Sequence, residues 1–319
     1  MRPNKLNEKV LEGSEIQESL GFLPPYPLID RLTFSDGISK AIAVKNVAAN
    51  EPFFNGHFPG YPVMPGVAQL EAMFQLGTIF HRKKTDKIAL MPFLYELRKV
   101  KFRKPVIPGD RLEICASMVS CNDDHIRIKV VSKVGEEVAS EAEMEIQFQE
   151  NLKKISGKAE IFIPPLNSSE DGNSFNVVSI QDIIPHRFPF VFIDRILYNQ
   201  VDKEGRSTMI GLKNVTFNEP FSLSKFGKIT LLPNTFLVEM IAQVGCVRTL
   251  NQPQNYGKFV YFISVDQAKF YHAVFPGDQV YVQAKTLVVK ERFGKGEGRI
   301  FVNSHLVAEA NIKFAIIER

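Results

Sequence analysis

The feature that most constrains the fold is an internal repeat with a fixed offset of 168 residues, which matches Glu219 to Glu51. The matching segments include Asn50-Glu51-Pro52-Phe53 with Asn218-Glu219-Pro220-Phe221, and Glu141-Ala142 with Glu309-Ala310. The same offset holds from the first of these segments to the last. Because solenoid repeats have periods of roughly 20–50 residues, an offset this long predicts two copies of one domain.

The repeat divides the chain into two domains and a linker. We predict an N-terminal domain over residues 1–155, a linker over 156–176 and a C-terminal domain over 177–319. The linker is polar and rich in residues that break helices and strands, as in Pro164-Pro165-Leu166-Asn167-Ser168-Ser169. Roughly 20 extended residues reach around 60 Å, which would let one copy swing round and pack against the other.

Composition narrows the class of protein. The net charge of +4 does not argue for a nucleic-acid partner, although it would tolerate an acidic one. Cys115, Cys121 and Cys246 lack metal-binding or disulfide spacing, so we expect no metal and a reducing compartment, which points to the cytoplasm. Residues 1–20 lack the apolar core of a signal peptide, and no apolar run reaches the roughly 18 residues of a membrane span.

Each copy shows the same order of secondary-structure signals. In the first copy, a strand-like stretch over 38–44 precedes a Pro/Gly-rich turn, and an apolar segment over 67–80 then predicts a helix. That helix is apolar nearly all round, so we expect it to be buried. Alternating runs such as Ile126-Arg127-Ile128-Lys129-Val130 follow and predict strands. The pattern indicates an α+β fold in which an antiparallel sheet wraps around one helix.

One turn carries candidate chemistry. It reads Gly56-His57-Phe58-Pro59-Gly60-Tyr61-Pro62-Val63-Met64-Pro65-Gly66, and Glu71 follows within the predicted helix. A lone histidine is more often structural than catalytic, but the glycines and prolines shape the backbone around His57. A carboxylate is costly to bury in an apolar helix, so Glu71 and its repeat Glu239 are either exposed charges or members of a site.

The residue types in this turn suit proton abstraction next to a carbonyl group. His57 would be the base, the free N–H groups at the helix N-terminus would hold an enolate oxygen, and a carboxyl group would act on a leaving group. Gln75 and Gln243 lie one helical turn after the carboxylates, where they could hydrogen-bond them or simply satisfy them. The 26 phenylalanines would supply apolar walls for an acyl chain.

The string from Gly56 to Val67, with Glu71-Ala72-Met73 after it, resembles the signature of FabZ-type and FabA-type 3-hydroxyacyl-[acyl-carrier-protein] dehydratases. Ile184-Pro185-His186-Arg187-Phe188-Pro189-Phe190 resembles the N-terminal signature of the same family. The resemblance implies the hotdog fold, in which an antiparallel sheet wraps around a long helix. It also implies a dimer with sites at the interface, so the fused copies would form a double hotdog that is an internal pseudo-dimer, with further homo-oligomerisation left open.

By that resemblance, each site takes its histidine position from one copy and its carboxylate from the other. One site would pair His57 with Glu239 and be complete. The second would pair Lys225 with Glu71 and be degenerate, because the lysine pKa of about 10.4 would have to fall by several units before it could act as a base.

The family roles transfer to four supporting residues. The carbonyl of Val63 would orient the His57 ring, and Gln243 would position Glu239. The thioester oxygen would accept a hydrogen bond from a backbone N–H at a helix N-terminus. We predict Asn234 as that donor rather than Gly66, because Asn234 precedes Glu239 by the same spacing as Gly66 precedes Glu71.

The resemblance implies a lyase that dehydrates 3-hydroxyacyl thioesters to trans-2-enoyl thioesters in fatty acid or polyketide-type biosynthesis, without a cofactor. Alternatives are an enoyl-CoA hydratase, a dehydratase that also isomerises, and a non-catalytic acyl-binding protein. The partner would be an acyl carrier protein or a CoA thioester. Basic residues over 98–104 could dock an acidic carrier protein, or could be the outward face of a strand.

Overall fold

The structure is a computed structural model. It describes residues 10–21, 27–35, 39–152, 162, 174–201, 203, 207–221, 223–225 and 229–318. The helices are α1 (Ser14–Leu20), α2 (Gly66–Thr85), α3 (Val177–Ile183) and α4 (Asn234–Leu250). The strands of the first copy are β1 (Val10–Glu12), β2 (Arg31–Ser35), β3 (Lys40–Asn46), β4 (Met91–Phe102), β5 (Arg111–Cys121), β6 (His125–Val134) and β7 (Glu137–Gln149). Those that follow are β8 (Phe175–Asn176), β9 (Arg195–Val201), β10 (Ser207–Asn214), β11 (Leu223–Lys225), β12 (Ile229–Leu231), β13 (Phe259–Phe270), β14 (Gln279–Lys290), β15 (Phe293–Val302) and β16 (His305–Ile317).

The sheets of the two copies join into one antiparallel sheet. Its strand order is β1-β2-β3-β5-β6-β7-β4-β13-β16-β15-β14-β10-β9-β8, while β11 and β12 form a separate ribbon. The join is the pairing of β4 with β13, in which Val265 lies opposite Val100. The two copies therefore share a hydrogen-bonded seam as well as a packed interface.

Each long helix lies against the strands of its own copy. Helix α2 contacts β3 to β7, and α4 contacts β10 and β13 to β16. Every residue of α2 from Val67 to Arg82 is buried, as the all-apolar pattern predicted. In each copy, the strands of the joined sheet wrap around one central helix. This arrangement confirms the predicted tandem hotdog architecture.

Helix α2 runs five residues past the predicted end at Phe80. The extension is stabilised by Arg82, whose guanidinium donates to the carbonyls of Ser19 and Leu20 at 2.8 and 2.6 Å and to that of Leu90 at 2.8 Å. Burial of an arginine is less costly when its terminal nitrogens donate to carbonyl oxygens in this way. Arg82 thereby holds α1 against the end of α2.

Part of the repeated sequence forms a structural ion pair in both copies. Lys213 Nζ lies 2.8 Å from Glu219 Oε1, and both side chains are about nine-tenths buried. Lys45 pairs with Glu51 in the same way in the first copy. The repetition of these residues thus reflects a shared buried contact rather than a second copy of the chemistry.

The repeated Pro-Gly-Asp segments form matching turns. Gly109 and Gly277 have φ angles of 97° and 99°, a region that favours glycine. Asp110 Oδ2 accepts from the Ile107 N–H at 2.9 Å, and Asp278 Oδ2 accepts from the Phe275 N–H at 2.8 Å. These motifs are therefore explained by turn geometry.

The basic residues over 98–104 are paired with acidic residues. Lys101 and Arg103 lie 3.1 and 2.8 Å from Glu141, and Lys99 lies 3.0 Å from Glu143. The acidic partners stand on β7, beside β4 in the sheet. This pattern favours the outward face of a strand over a docking site for an acidic carrier.

Most of the predicted linker lies outside the described residues, so the domain boundaries stay predictions. Its last residue, Asn176, begins the second copy, because its side-chain oxygen caps α3 by accepting from the Ser179 N–H at 3.0 Å. Within the described ranges, no helix is long and apolar enough to cross a membrane.

The buried ion pair yields a stability prediction. Lys213→Met leaves Glu219 buried without its cation, so the free energy of unfolding should fall by about 3–5 kcal/mol. Urea denaturation of the full chain measures this loss. Lys101→Met is the matched control, because its pair is half exposed and should be worth less than about 1 kcal/mol. Equal effects of the two changes would contradict the structural role of the buried pair.

Candidate active site

The His57 turn is a closed loop built from its glycines and prolines. Phe58 and Tyr61 exchange backbone hydrogen bonds at 3.2 and 2.9 Å, and Gly60 has a φ of 78° that favours glycine. The Val63 N–H donates to the His57 carbonyl at 3.1 Å and closes the loop. The backbone on both sides of His57 is therefore held in place before any substrate binds.

The contact predicted between His57 and Val63 is present. His57 Nδ1 lies 2.7 Å from the Val63 carbonyl oxygen. Because a carbonyl can only accept, Nδ1 must carry the hydrogen, and in a neutral ring this leaves a lone pair on Nε2. That tautomer suits a base whose free nitrogen is Nε2.

The His57 loop of the first copy packs directly on the second copy. The Arg187 N–H donates to the Gly56 carbonyl at 3.0 Å. A Cβ atom at Gly56 would lie 2.0 Å from the Arg187 carbonyl oxygen, so only glycine allows this approach. The residues 184–190 are thereby fixed next to His57.

Glu239 lies in the second turn of α4 and is buried. Gln243 donates to Glu239 Oε1 at 2.9 Å, the contact predicted for it. The same amide also binds the backbone of the preceding segment: it donates to the Phe190 carbonyl and accepts from the Phe192 N–H, both at 2.9 Å. Gln243 therefore ties the carboxylate to the segment that carries Arg187.

The structure adds a residue that sequence reasoning did not assign to the site. His186 is 7% exposed, and its Nε2 lies 3.3 Å from Glu239 Oε1. Its ring centroid is 5.6 Å from that of His57, and its Nδ1 is buried with no partner among the described residues. The signal in the sequence is the histidine of the Pro185-His186-Arg187 motif. That motif indicates the family but does not show that His186 contacts Glu239.

The environment sets the charge of each group. Burial, and then the nearby charge of His186, lower the pKa of His57 to about 4, against the partly opposing effect of Glu239. For Glu239, burial acts to raise the pKa, but the hydrogen bond and charge of His186, with His57 and Gln243, outweigh it and lower the pKa. At neutral pH the site thus contains a neutral His57 and an ionised Glu239.

His57 and Glu239, which come from different copies, line the same cavity of about 190 Å³. His186, Gln243, Val63 and other residues also line it. The cross-copy arrangement expected for the complete site is the one that the fold brings together.

Asn234 does not lie with this site, which corrects its assignment as the backbone donor. The cavity is lined by Gly66 and Val67 at the start of α2, and its lining does not include Asn234, whose side chain donates to the Leu94 carbonyl at 2.9 Å. The adjacent Thr235 hydroxyl donates to Glu71 at 2.8 Å, so the start of α4 belongs with the other carboxylate. The physical reason is that the N-terminus of α2, at Gly66, borders the same cavity as His57, whereas the N-terminus of α4 contacts Leu94 and Glu71.

Glu71 stands in a separate, closed environment. It is 1% exposed, and it accepts hydrogen bonds from Thr235 and Gln75. Burial raises its pKa to about 7 despite those bonds. The Lys225 side chain lies outside the described residues, so its pairing with Glu71 stays a prediction.

No group of three or more His, Cys, Asp or Glu side chains that could hold a metal ion occurs within the described part of the chain. The candidate proton-transfer groups in the lining of the cavity are His57, His186 and Glu239, and Gln243 is hydrogen-bonded to Glu239. Chemically, this set can take up one proton at an imidazole and hold a second between an imidazole and a carboxylate.

Comparison with known proteins identifies relatives of both copies. The profile of the FabA-like domain family matches residues 24–143 and 184–311. The 3-hydroxyacyl-[acyl-carrier-protein] dehydratase FabZ of Desulforamulus reducens is 38% identical over 141 residues, which are 44% of this chain and 96% of that protein. FabZ of Herpetosiphon aurantiacus is 39% identical over 142 residues, 44% of this chain and 98% of that protein.

Solved structures share the fold over nearly the whole chain. The dehydratase domain from the CurJ module of the curacin polyketide synthase has a TM-score of 0.60 and 13% identity, covering 92% of this chain and 98% of that one. The dehydratase domain of PpsC from Mycobacterium tuberculosis, in complex with C12:1-CoA, has a TM-score of 0.53 and 11% identity, covering 92% and 99%. At these identities the likeness concerns the fold.

The raised pKa of Glu71 yields a prediction on stability. Between its ordinary pKa of 4.5 and the folded value of about 7, the folded state binds a proton that the unfolded state has lost. The free energy of unfolding should therefore fall as pH rises through this range. Glu71→Gln cannot ionise, so it should exceed the parent protein in stability by on the order of 3 kcal/mol at about pH 8.

Urea denaturation at both ends of this pH range provides the measurement. The difference between the two proteins should vanish at about pH 4, where Glu71 is protonated in both the folded and the unfolded state. A difference that does not vary with pH would show that Glu71 is not the buried titrating group.

Proposed function

The chain belongs to the FabA-like domain family, and from this premise we propose that it is a hydro-lyase that removes water from 3-hydroxyacyl thioesters to give trans-2-enoyl thioesters. This reaction belongs to fatty acid or polyketide synthesis. The observation that carries the proposal is the buried cavity that His57 of one copy shares with Glu239 of the other.

His57 is the proposed base. With Nδ1 donating to Val63, its Nε2 takes the proton from C2, and the electron pair of the C–H bond moves toward the thioester carbonyl. A pKa of about 4 keeps the ring neutral and able to accept a proton at neutral pH. The same low pKa makes it a weak base, so stabilisation of the developing enolate must supply part of the driving force.

The backbone N–H of Gly66 is the proposed donor to the thioester oxygen. Gly66 is the first residue of α2 after Pro65, where backbone N–H groups have no partner within the helix. A Cβ atom at this position would lie 2.7 Å from the Phe102 ring, so glycine lets the ring cover the donor. One such donor is worth about 3–4 kcal/mol in the transition state.

Glu239 and His186 together are the proposed acid. His186 Nε2 and Glu239 Oε1 are in contact at 3.3 Å, and one transferable proton held between them is delivered by Glu239 to the hydroxyl leaving from C3. The C3–O bond then breaks, the C2 electron pair forms the double bond, and water departs. In this scheme His186 is a positioning residue that acts through Glu239.

The substrate is a thioester, and we propose an acyl carrier protein as its main carrier. The name of the FabZ relatives, which the chain matches over nearly their full length, specifies that carrier. The paired charges over 98–104 do not favour docking on the face of β4. Testing substrates on both carriers separates the carrier-protein form from the CoA form.

Substitution at the site tests the function directly. His57→Ala and Glu239→Gln should each reduce kcat by at least about 100-fold, because each removes a proton-transfer group. Formation of the conjugated enoyl thioester, followed by its ultraviolet absorbance, measures the reaction. Glu71→Gln is the matched control, since it makes the same change at the equivalent position of the other copy.

The control variant should retain turnover within about threefold of the parent protein, because Glu71 is buried and is not among the residues that line the cavity. If Glu71→Gln abolished turnover and Glu239→Gln did not, the cross-copy assignment would be overturned. If the parent protein dehydrated no 3-hydroxyacyl thioester on either carrier, the proposed function would be wrong.

His186→Phe tests the positioning residue. Phenylalanine keeps an aromatic ring against Phe58 and His57 but removes the contact with Glu239. We expect kcat to fall by about 10-fold or more with little change in KM. His186→Gln, which retains a donor, should recover part of the loss. A merely structural histidine would instead lower the Tm and leave kcat of the folded protein unchanged.

A further inference from the structure

The cavity extends well beyond the proposed catalytic groups, along one face of α4. Ala242, Cys246 and Thr249 line it at helical spacing from Glu239. From Glu239 to Thr249 the helix rises about 15 Å. The deep part of the cavity, which we name the chamber, therefore lies inside the C-terminal copy, between α4 and the inner face of β13 to β16.

The chamber walls suit an apolar occupant. Val260, Phe262, Ile312 and Phe314 contribute apolar surface. Lys285 and Glu297 also line the cavity, but their partly exposed side chains form an ion pair with each other at 3.6 Å. Burial keeps the pKa of the Cys246 thiol far above its ordinary value, so that side chain is uncharged. The Thr249 hydroxyl, the other polar group of this helix face, already donates to the Gly245 carbonyl at 2.8 Å.

The first copy provides a comparison at the same offset of 168 residues. Gly77 of α2 corresponds to Gly245 of α4. A Cβ atom at Gly77 would lie 2.5 Å from Ile146 Cδ1 and 2.8 Å from Ile128 Cδ1. At Gly245 it would have no neighbour within 4 Å. The same helix position is tightly packed in the first copy and borders open space in the second.

Smaller residues account for this difference. Phe74 of the first copy corresponds to Ala242, and Ile128 corresponds to Gly296. Both large residues are buried in the first core, whereas both small ones line the chamber. In register, Gly296 lies opposite Ile312 just as Ile128 lies opposite Met144, so the backbone positions are equivalent.

Two further glycines of β15 do not open the chamber. A Cβ atom at Gly294 would lie 2.2 Å from the Phe314 ring, and one at Gly298 would lie 2.1 Å from Ile241. Larger neighbours occupy the space at both positions. The volume of the chamber therefore comes from Ala242, Gly245 and Gly296.

We infer that this chamber is the acyl-binding site, that it exists only in the C-terminal copy within the described residues, and that Ala242, Gly245 and Gly296 set its depth. This inference rests on the proposed function. The helix face from Glu239 to Thr249, about 15 Å long, suits substrates with medium-length acyl chains. In the first copy, Phe74, Ile128 and Ile146 fill the equivalent space, so the site around Glu71 has no room for an acyl chain.

Gly245→Leu in the full chain tests the inference. Its side chain enters open space, so it should block the chamber without displacing the core. With 3-hydroxydecanoyl thioester, kcat/KM should fall by at least about tenfold, whereas with 3-hydroxybutyryl thioester it should change by less than about threefold. Both substrates are presented on whichever carrier the parent protein uses. Lys84→Leu, which places the same residue at an exposed position of α2 outside the cavity lining, is the matched control and should leave both values nearly unchanged.

A second variant tests whether the effect arises from filling the chamber or only from the leucine at position 245. Ala242→Phe introduces the residue of the first copy on the adjacent turn and should give the same selective loss. Equal losses for both chain lengths, or no loss for either, in folded variants would overturn the inference. Failure of the parent protein itself to dehydrate either substrate would overturn the proposed function instead, so the two failures are distinguishable.

Discussion

The arrangement of the site depends on one buried carboxylate. Glu239 lies in an apolar helix, where an isolated charge would be strongly unfavourable, so its hydrogen-bonding partners are obligatory. Gln243 meets this requirement and at the same time binds the backbone at Phe190 and Phe192. That segment carries His186 to the carboxylate and presses Arg187 onto Gly56, the residue before His57. Satisfying one charge thus aligns groups from both copies.

Because the domain is duplicated, the two copies can contribute different residues to the site. Both keep the buried lysine–glutamate pair and the Pro-Gly-Asp turns, because each sheet needs them. They differ in the residues around the two buried carboxylates. The first copy supplies the histidine loop and has a filled core around Gly77, whereas the second supplies the carboxylate and an open chamber beside Gly245. In a symmetric dimer, one sequence would have to provide both the filled core and the open chamber. In a fused pair, each copy provides one of them.

Two site contacts could be predicted, on different grounds. Gln243 lies one helical turn from Glu239, so its contact follows from helix geometry. The contact of the Val63 carbonyl with His57 was implied only by the family resemblance. Asn234 was misplaced because its spacing from Glu239 along the helix does not reveal which helix N-terminus faces the histidine. The contact between His186 and Glu239 could not be predicted from the sequence, because the two residues lie 53 positions apart and on different elements.

The sequence by itself determined the duplication, the helix within each sheet and two of the residues proposed for proton transfer, His57 and Glu239, since repeats, periodicity and residue types can be read along the chain. The tertiary structure alone decided which helix N-terminus lies beside His57, that His186 contacts Glu239, and that a chamber opens in the C-terminal copy. These features depend on how side chains from distant segments fill or leave space against one another. The volume left beside Gly245, and the volume filled beside Gly77, exist only when the sheets have closed around their helices.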